Sequence, residues 1–63
     1  MDDWKQRVRD EKKDLCDKLA KLRQFRTTAE YAALDEADRQ LLKQQDDYMQ
    51  AYADILGKRI ARF

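Results

Sequence analysis

The sequence predicts an all-α fold: an antiparallel helical hairpin with a short helical connection, assembling into a symmetric oligomer. Three observations predict it. The 63 residues include no Pro and a single Gly, which leaves few ways to punctuate a β fold. Each half of the chain carries an apolar stripe of helical period. The break between the stripes is short, which sets neighbouring helices antiparallel. This length fits one domain at most, so residues 1–63 are expected to form a single unit.

The first helix is expected from about Asp3 to Arg26. Asp3-Trp4-Lys5-Gln6 reads as a capping box, with Asp3 accepting from a free backbone N–H and Gln6 reaching back. Trp4, Val8, Leu15, Leu19, Leu22 and Phe25 share one helical face. Glu11 and Lys12 fill the long gap in that stripe, so a polar pair interrupts it. Thr27-Thr28-Ala29-Glu30 offers a second capping box. Tyr31 to Leu34 then form a short helical turn that tucks Tyr31 and Leu34 under the hairpin. Asp35 is the expected N-cap of the last helix, and Glu36 and Asp38 suit the positive end of its dipole.

The last helix is expected from about Glu36 to Ala61. Leu42, Met49, Leu56 and Phe63 recur every seven residues. Leu41, Tyr48 and Ile55 repeat one place earlier, and Gln45, Tyr52 and Arg59 three places later. The period is that of a coiled coil. Lys58, Arg59 and Arg62 crowd the C-terminal turn, where cations suit the dipole. Counted from the turn, Leu22 is expected near Leu42, Leu15 near Met49, Val8 near Leu56 and Trp4 near Ile60. Tyr52 then falls opposite the Glu11/Lys12 gap, and Gln45 near Lys18 and Leu19.

One partner helix cannot cover three apolar rows, and so small a hairpin has a marginal core. Another copy of the chain is the simplest cover. Gln45, on the inner flank of the last helix, reads as a buried amide that fixes register or oligomeric state, or as a hydrogen-bonding partner for a base. Gly57 costs about 1 kcal/mol relative to Ala inside a helix. Close approach by a helix or by a ligand would offset that cost, and helix packing is the commoner cause.

Composition excludes several functions. The 14 Lys and Arg nearly balance the 13 Asp and Glu, for a net charge of +1, which argues against a non-specific DNA binder. No stretch approaches the roughly 20 apolar residues of a membrane span. Met1-Asp2-Asp3 offers no signal-peptide start, so a cytosolic location is expected. Without His, no ordinary zinc site or Cys–His nucleophile exists, so neither a metal, a cofactor nor an enzyme is expected. Cys16 reads as a small reduced interface residue.

Trp4, Arg7, Arg59, Arg62 and Phe63 converge at the open end of the predicted hairpin. Aromatic faces stack on bases, and guanidinium groups grip phosphates. The plainer reading is that Trp4 caps the core and the arginines neutralise terminal carbonyls. Lys12, Lys18 and Lys21 are further candidates. Lys18, beside the apolar stripe, can snorkel across an interface or bind an anion, while its bland role is a solvated face pairing with Asp14.

The run Arg7-Val8, Glu11-Lys12, Leu15, Lys18-Leu19, Lys21-Leu22, Phe25, Leu34, Arg39, Leu41-Leu42, Gln45, Met49, Tyr52, Ile55-Leu56, Arg59-Ile60 resembles a family of very small phage and prophage helical-hairpin proteins. Some members resemble the anti-CBASS cyclic-oligonucleotide sponges. That resemblance implies a compact hexamer that sequesters cyclic dinucleotides, and in many members cyclic trinucleotides, made by bacteria as antiphage signals. It implies a dinucleotide pocket with an aromatic near the start of the chain, here Trp4 in place of the usual tyrosine, and a lysine on the first helix, here Lys18. It implies a trinucleotide site with a late arginine, matched by Arg59. The resulting expectation is stoichiometric binding, with bases stacked on Trp4, phosphates at Lys18 and Arg7, and an axial site at Arg59. The rival expectation is a coiled-coil module that blocks a host protein.

Overall fold

The computed structural model describes residues 3–63. Met1 and Asp2, on which the expectation of no leader rests, lie outside them. Three helices follow in order: α1 (Asp3–Phe25), α2 (Ala29–Ala33) and α3 (Glu36–Ile60). The two long helices lie against each other as a hairpin measuring 49 × 14 × 13 Å. The all-α hairpin with its short helical connection is therefore as the sequence predicts.

The caps differ in detail. Asp3 lies inside the first turn of α1, and Gln6 Nε2 donates to Asp10 Oδ1 at 2.9 Å instead of reaching back. Thr28, not Thr27, is the N-cap of α2, accepting from Tyr31 N at 3.2 Å. The reason is that the closing turn of α1 runs on: Arg26 N donates to Leu22 O and Thr27 N to Gln24 O. Thr27 belongs to that turn, and its hydroxyl also donates to Gln24 O. Asp35 is the N-cap of α3, as expected, with Oδ1 accepting from Asp38 N at 2.9 Å.

The connection is a packed element. Tyr31 and Leu34 are half-buried. The Tyr31 ring meets Phe25 edge to face, with centroids 6.0 Å apart, and its hydroxyl donates to Arg39 O at 3.3 Å. The Arg39 guanidinium in turn donates to the carbonyls of Ala32 and Leu34, which close α2.

Val8, Leu19, Ala53 and Leu56 form the buried apolar core. The larger three contribute about 1.5–3 kcal/mol each by burial, a small sum beside the cost of ordering the chain. Leu42, Met49 and Phe63, in the same row as Leu56, are half-buried. The inner face of α3 lies between that row and the one holding Asp46, Ala53 and Ile60. The other two rows face outward, with Leu41 61%, Tyr48 75% and Ile55 54% exposed.

The helices meet about one turn away from the expected register. Lys12 lies against Gly57, and Trp4 meets Phe63, beyond the expected Ile60, although Tyr52 does border Glu11 as expected. A heptad pattern keeps its apolar face when slid by a turn, so the stripes alone do not choose between registers. Gln45 is exposed rather than on the inner flank, and its Nε2 lies 3.9 Å from Met49 Sδ. Its neighbour Asp46 is the residue turned inward, only 5% exposed. Arg23 grips both Asp46 oxygens, with Nη2 donating to Oδ1 at 3.0 Å and Nε to each oxygen at 3.2 Å. Arg26 Nη1 donates to Oδ2 at 2.9 Å. Arg23 also reaches Gln50 Oε1 at 2.8 Å.

Hydrogen bonding from Arg23 holds the Asp46 carboxyl below the usual carboxylate value; burial opposes this, and Arg26 adds to the pull. A depressed folded pKa gives stability that is present above the unfolded carboxylate value, about pH 4, and lost as pH falls through the lower folded value. Asp46→Asn should therefore lower Tm by about 5 °C or more at pH 7, read by circular dichroism. The gap from the parent should narrow below about pH 4. A methyl at Gly57 would sit 3.4 Å from the flexible end of Lys12, an ordinary contact. Within the hairpin the glycine is thus not required for space. Gly57→Ala should raise stability by about 0.5–1 kcal/mol, measured by urea unfolding.

Candidate functional site

Two grooves hold the residues singled out in the sequence. The first, of about 370 Å³, lies at the open end of the hairpin and is lined by Trp4, Arg59, Arg62 and Phe63. Trp4 comes from the first turn of α1 and Arg59 from the last turn of α3. Arg62 and Phe63 are set by the turn that closes α3, where Arg62 N donates to Arg59 O and Phe63 N to Ile60 O, both at 3.1 Å. The antiparallel arrangement thus brings the two ends of the chain to one place.

The rings of Trp4 and Phe63 meet edge to face, with centroids 5.0 Å apart and planes at 78°. Lys5 Nζ lies 5.8 Å from the Trp4 centroid and 6.0 Å from that of Phe63. The Arg9 guanidinium lies 5.2 Å from the Phe63 centroid. Lys5 and Arg9 escaped the sequence reading. The available signal was their spacing: they follow Trp4 by one and five residues on the same helix.

Chemically, the end groove suits an anionic aromatic ligand. Trp4 remains 44% exposed and can stack on a base. Two guanidinium groups line the groove, and among the described residues no Asp or Glu side chain joins its walls. Such groups bind phosphate oxygens in pairs, with a geometry a lysine does not match.

The second groove, of about 410 Å³, runs along α1 and is lined by Arg7, Asp10, Glu11, Asp14, Leu15, Lys18 and Tyr52. Arg7 and Lys18 stand roughly 16 Å apart along the helix axis, at its two ends. The three carboxylates lie between them in the chain. A phosphate resting midway would meet acidic side chains, so this groove favours anions only near its ends. Arg7 thus stands with Lys18 and not among the walls of the end groove. Trp4 and Lys18 are separated by about 21 Å of helix, and one chain does not join them in one pocket. Tyr52 borders this groove with Glu11 and Leu15.

Of the remaining candidates, Lys12 is half-buried against Gly57, while Lys21 and Cys16 are exposed. Among the described residues no group of His, Cys, Asp or Glu is arranged to hold a metal ion. Likewise, none of the described helices is long and apolar enough to cross a membrane.

A family model described as Sequestin matches residues 2–62 of the chain. No curated protein and no solved structure matches it.

Phe63→Ala would remove the edge contact on Trp4, worth about 0.5–1.5 kcal/mol beyond area burial. It should also leave Trp4 more solvated. The chain has a single tryptophan, so its fluorescence reports this site alone. The expected outcome is emission shifted to longer wavelength, with far-ultraviolet helicity unchanged.

Proposed function

The chain belongs to the Sequestin family, and from that premise we propose that it is a phage-encoded, non-catalytic sponge for cyclic oligonucleotide immune signals in the host cytoplasm. The family name describes holding a ligand rather than converting one. The observation that carries the finer reading is the end groove: an exposed indole beside two guanidinium groups, with no carboxylate side chain in its walls among the described residues. Cyclic di- and trinucleotides combine planar bases with phosphodiester anions; Trp4 offers a stacking face to either, and the guanidinium groups there suit the phosphates of a trinucleotide.

The working form in this reading is a homo-oligomer, a hexamer. The exposed row Leu41, Tyr48 and Ile55 supports it, because these residues repeat at coiled-coil spacing on the uncovered side of α3. Assembly would set Trp4 of one chain against Arg7 and Lys18 of another, which a single chain keeps apart. It would also gather copies of Arg59 around an axis. The same exposed row supports a second reading, a coiled-coil module that blocks a host protein.

Light scattering should give a mass several times that of the 7.6 kDa chain. Calorimetry against a panel of cyclic di- and trinucleotides should saturate near about one ligand per two or three chains. A blocking module gives no heat with any of them. Lys18→Ala should weaken dinucleotide binding by about tenfold or more and leave trinucleotide binding nearly unchanged, because it removes one charged hydrogen bond. Arg59→Ala should do the reverse. Equal losses for both ligands in both variants would point to a single shared site.

A further inference from the structure

We propose that Lys5 and Arg9 are additional phosphate ligands of the end groove, held in place by Phe63, so that the site is a cradle of four cations around two aromatic rings. This rests on the sequestering role proposed above. Lys5 lies near both rings, and Arg9 lies over Phe63. Phe63 also lines the groove with Trp4, Arg59 and Arg62, so its ring links those walls to Lys5 and Arg9, which stand just outside them. Among the described residues, the ion pairs formed are those of Lys13, Arg23 and Arg26. Lys5 and Arg9 have no carboxylate partner among those described pairs.

Phe63 is a positioning residue here. A cation resting on an aromatic face has fewer orientations to lose when a ligand arrives. The arrangement selects for a ligand carrying several phosphates spread over the end of the hairpin, as the three phosphodiesters of a cyclic trinucleotide are. A single phosphate would engage one side of the cradle only.

The test uses the full chain and 3′,5′-linked cyclic tri-adenosine monophosphate, with Kd measured by calorimetry from 50 to 300 mM salt. Each phosphate-bound cation makes the affinity fall more steeply with salt, because salt screens the charge pair. The double variant Lys5→Gln/Arg9→Gln should bind about tenfold or more weakly at the lowest salt, and its affinity should fall less steeply as salt rises. Phe63→Leu should weaken binding severalfold while keeping the slope, and Phe63→Tyr should restore the parent's affinity. Lys13→Gln, which alters an exposed lysine paired with Asp17, should change neither quantity. A double variant with the parent's Kd and slope, in a background where Arg59→Ala still weakens binding, overturns the cradle and leaves the sequestering role standing. An absence of heat from the parent chain with every cyclic nucleotide overturns both.

Discussion

Four hydrogen bonds from two guanidinium groups converge on the Asp46 carboxylate, and the placement of α1 along α3 follows from them. Apolar packing alone is weakly selective here. The core is a single seam with Val8, Leu19, Ala53 and Leu56 fully inside, and a heptad seam slid by one turn still buries aliphatic side chains. A buried carboxylate has no such tolerance. Moved a turn from Arg23 and Arg26, it would be desolvated without a cation, a far more costly state than a poorly filled seam. Within the observed register Lys12 meets Gly57 and the Trp4 and Phe63 rings meet. The particular Trp4–Phe63 ring contact therefore goes with the register that a clamp near the opposite end of the hairpin favours.

That clamp explains which parts of the fold were legible in the sequence. Helix extents and the Asp35 cap depend on local chemistry, on side-chain period and on one capping oxygen, and they emerged nearly residue for residue. The packed connection emerged too, since Tyr31 and Leu34 were the apolar residues in a stretch too short to be left loose. Register was not legible, because it depends on a long-range pairing that apolar period does not encode. Asp46 sits next to Asp47 in a polar run and reads as surface. Gln45, set among Leu41, Leu42, Tyr48 and Met49, looked the better inward-facing polar residue, yet the helix turns about 100° per residue and puts its neighbour inside. The sequence did hold a clue: Arg23 and Arg26 lie three apart at the end of α1, on one helical face. That pair asks for an anion across the hairpin.

The candidate site divides in the same way. Trp4, Arg59, Arg62 and Phe63 were expected together because any antiparallel hairpin joins its two ends, and a slip of one turn barely alters that. Trp4 and Lys18 were linked only by family resemblance. A helix holds them about 21 Å apart, so their joint use is a statement about neighbouring chains. The carboxylates beside Lys18 sharpen the point. Asp10, Glu11 and Asp14 leave the groove along α1 without a cationic surplus of its own, whereas the end groove has one.

Exposure then sets what a single chain can do. Charges on an open surface are screened within about 8 Å at physiological salt, and an exposed ion pair contributes only about 0–1 kcal/mol. One end groove, open to solvent, is a weak trap on those terms. The sponge proposed above would have to hold its ligand tightly enough to outcompete a receptor, with no chemical step to make capture irreversible. The hairpin's single seam supplies the means to tighten it. Because α1 covers only one side of α3, Leu41, Tyr48 and Ile55 remain outside, in a continuous row of the right spacing to bind a further helix. Burying that row in the proposed assembly would close walls around the ligand and remove water from its phosphates. It would also repeat every cation by symmetry, so that each contact strengthens in a drier site. A chain of this size would not enclose a nucleotide by itself, and in the proposed reading its uncovered helix face and its open, cationic end are two aspects of that one limit.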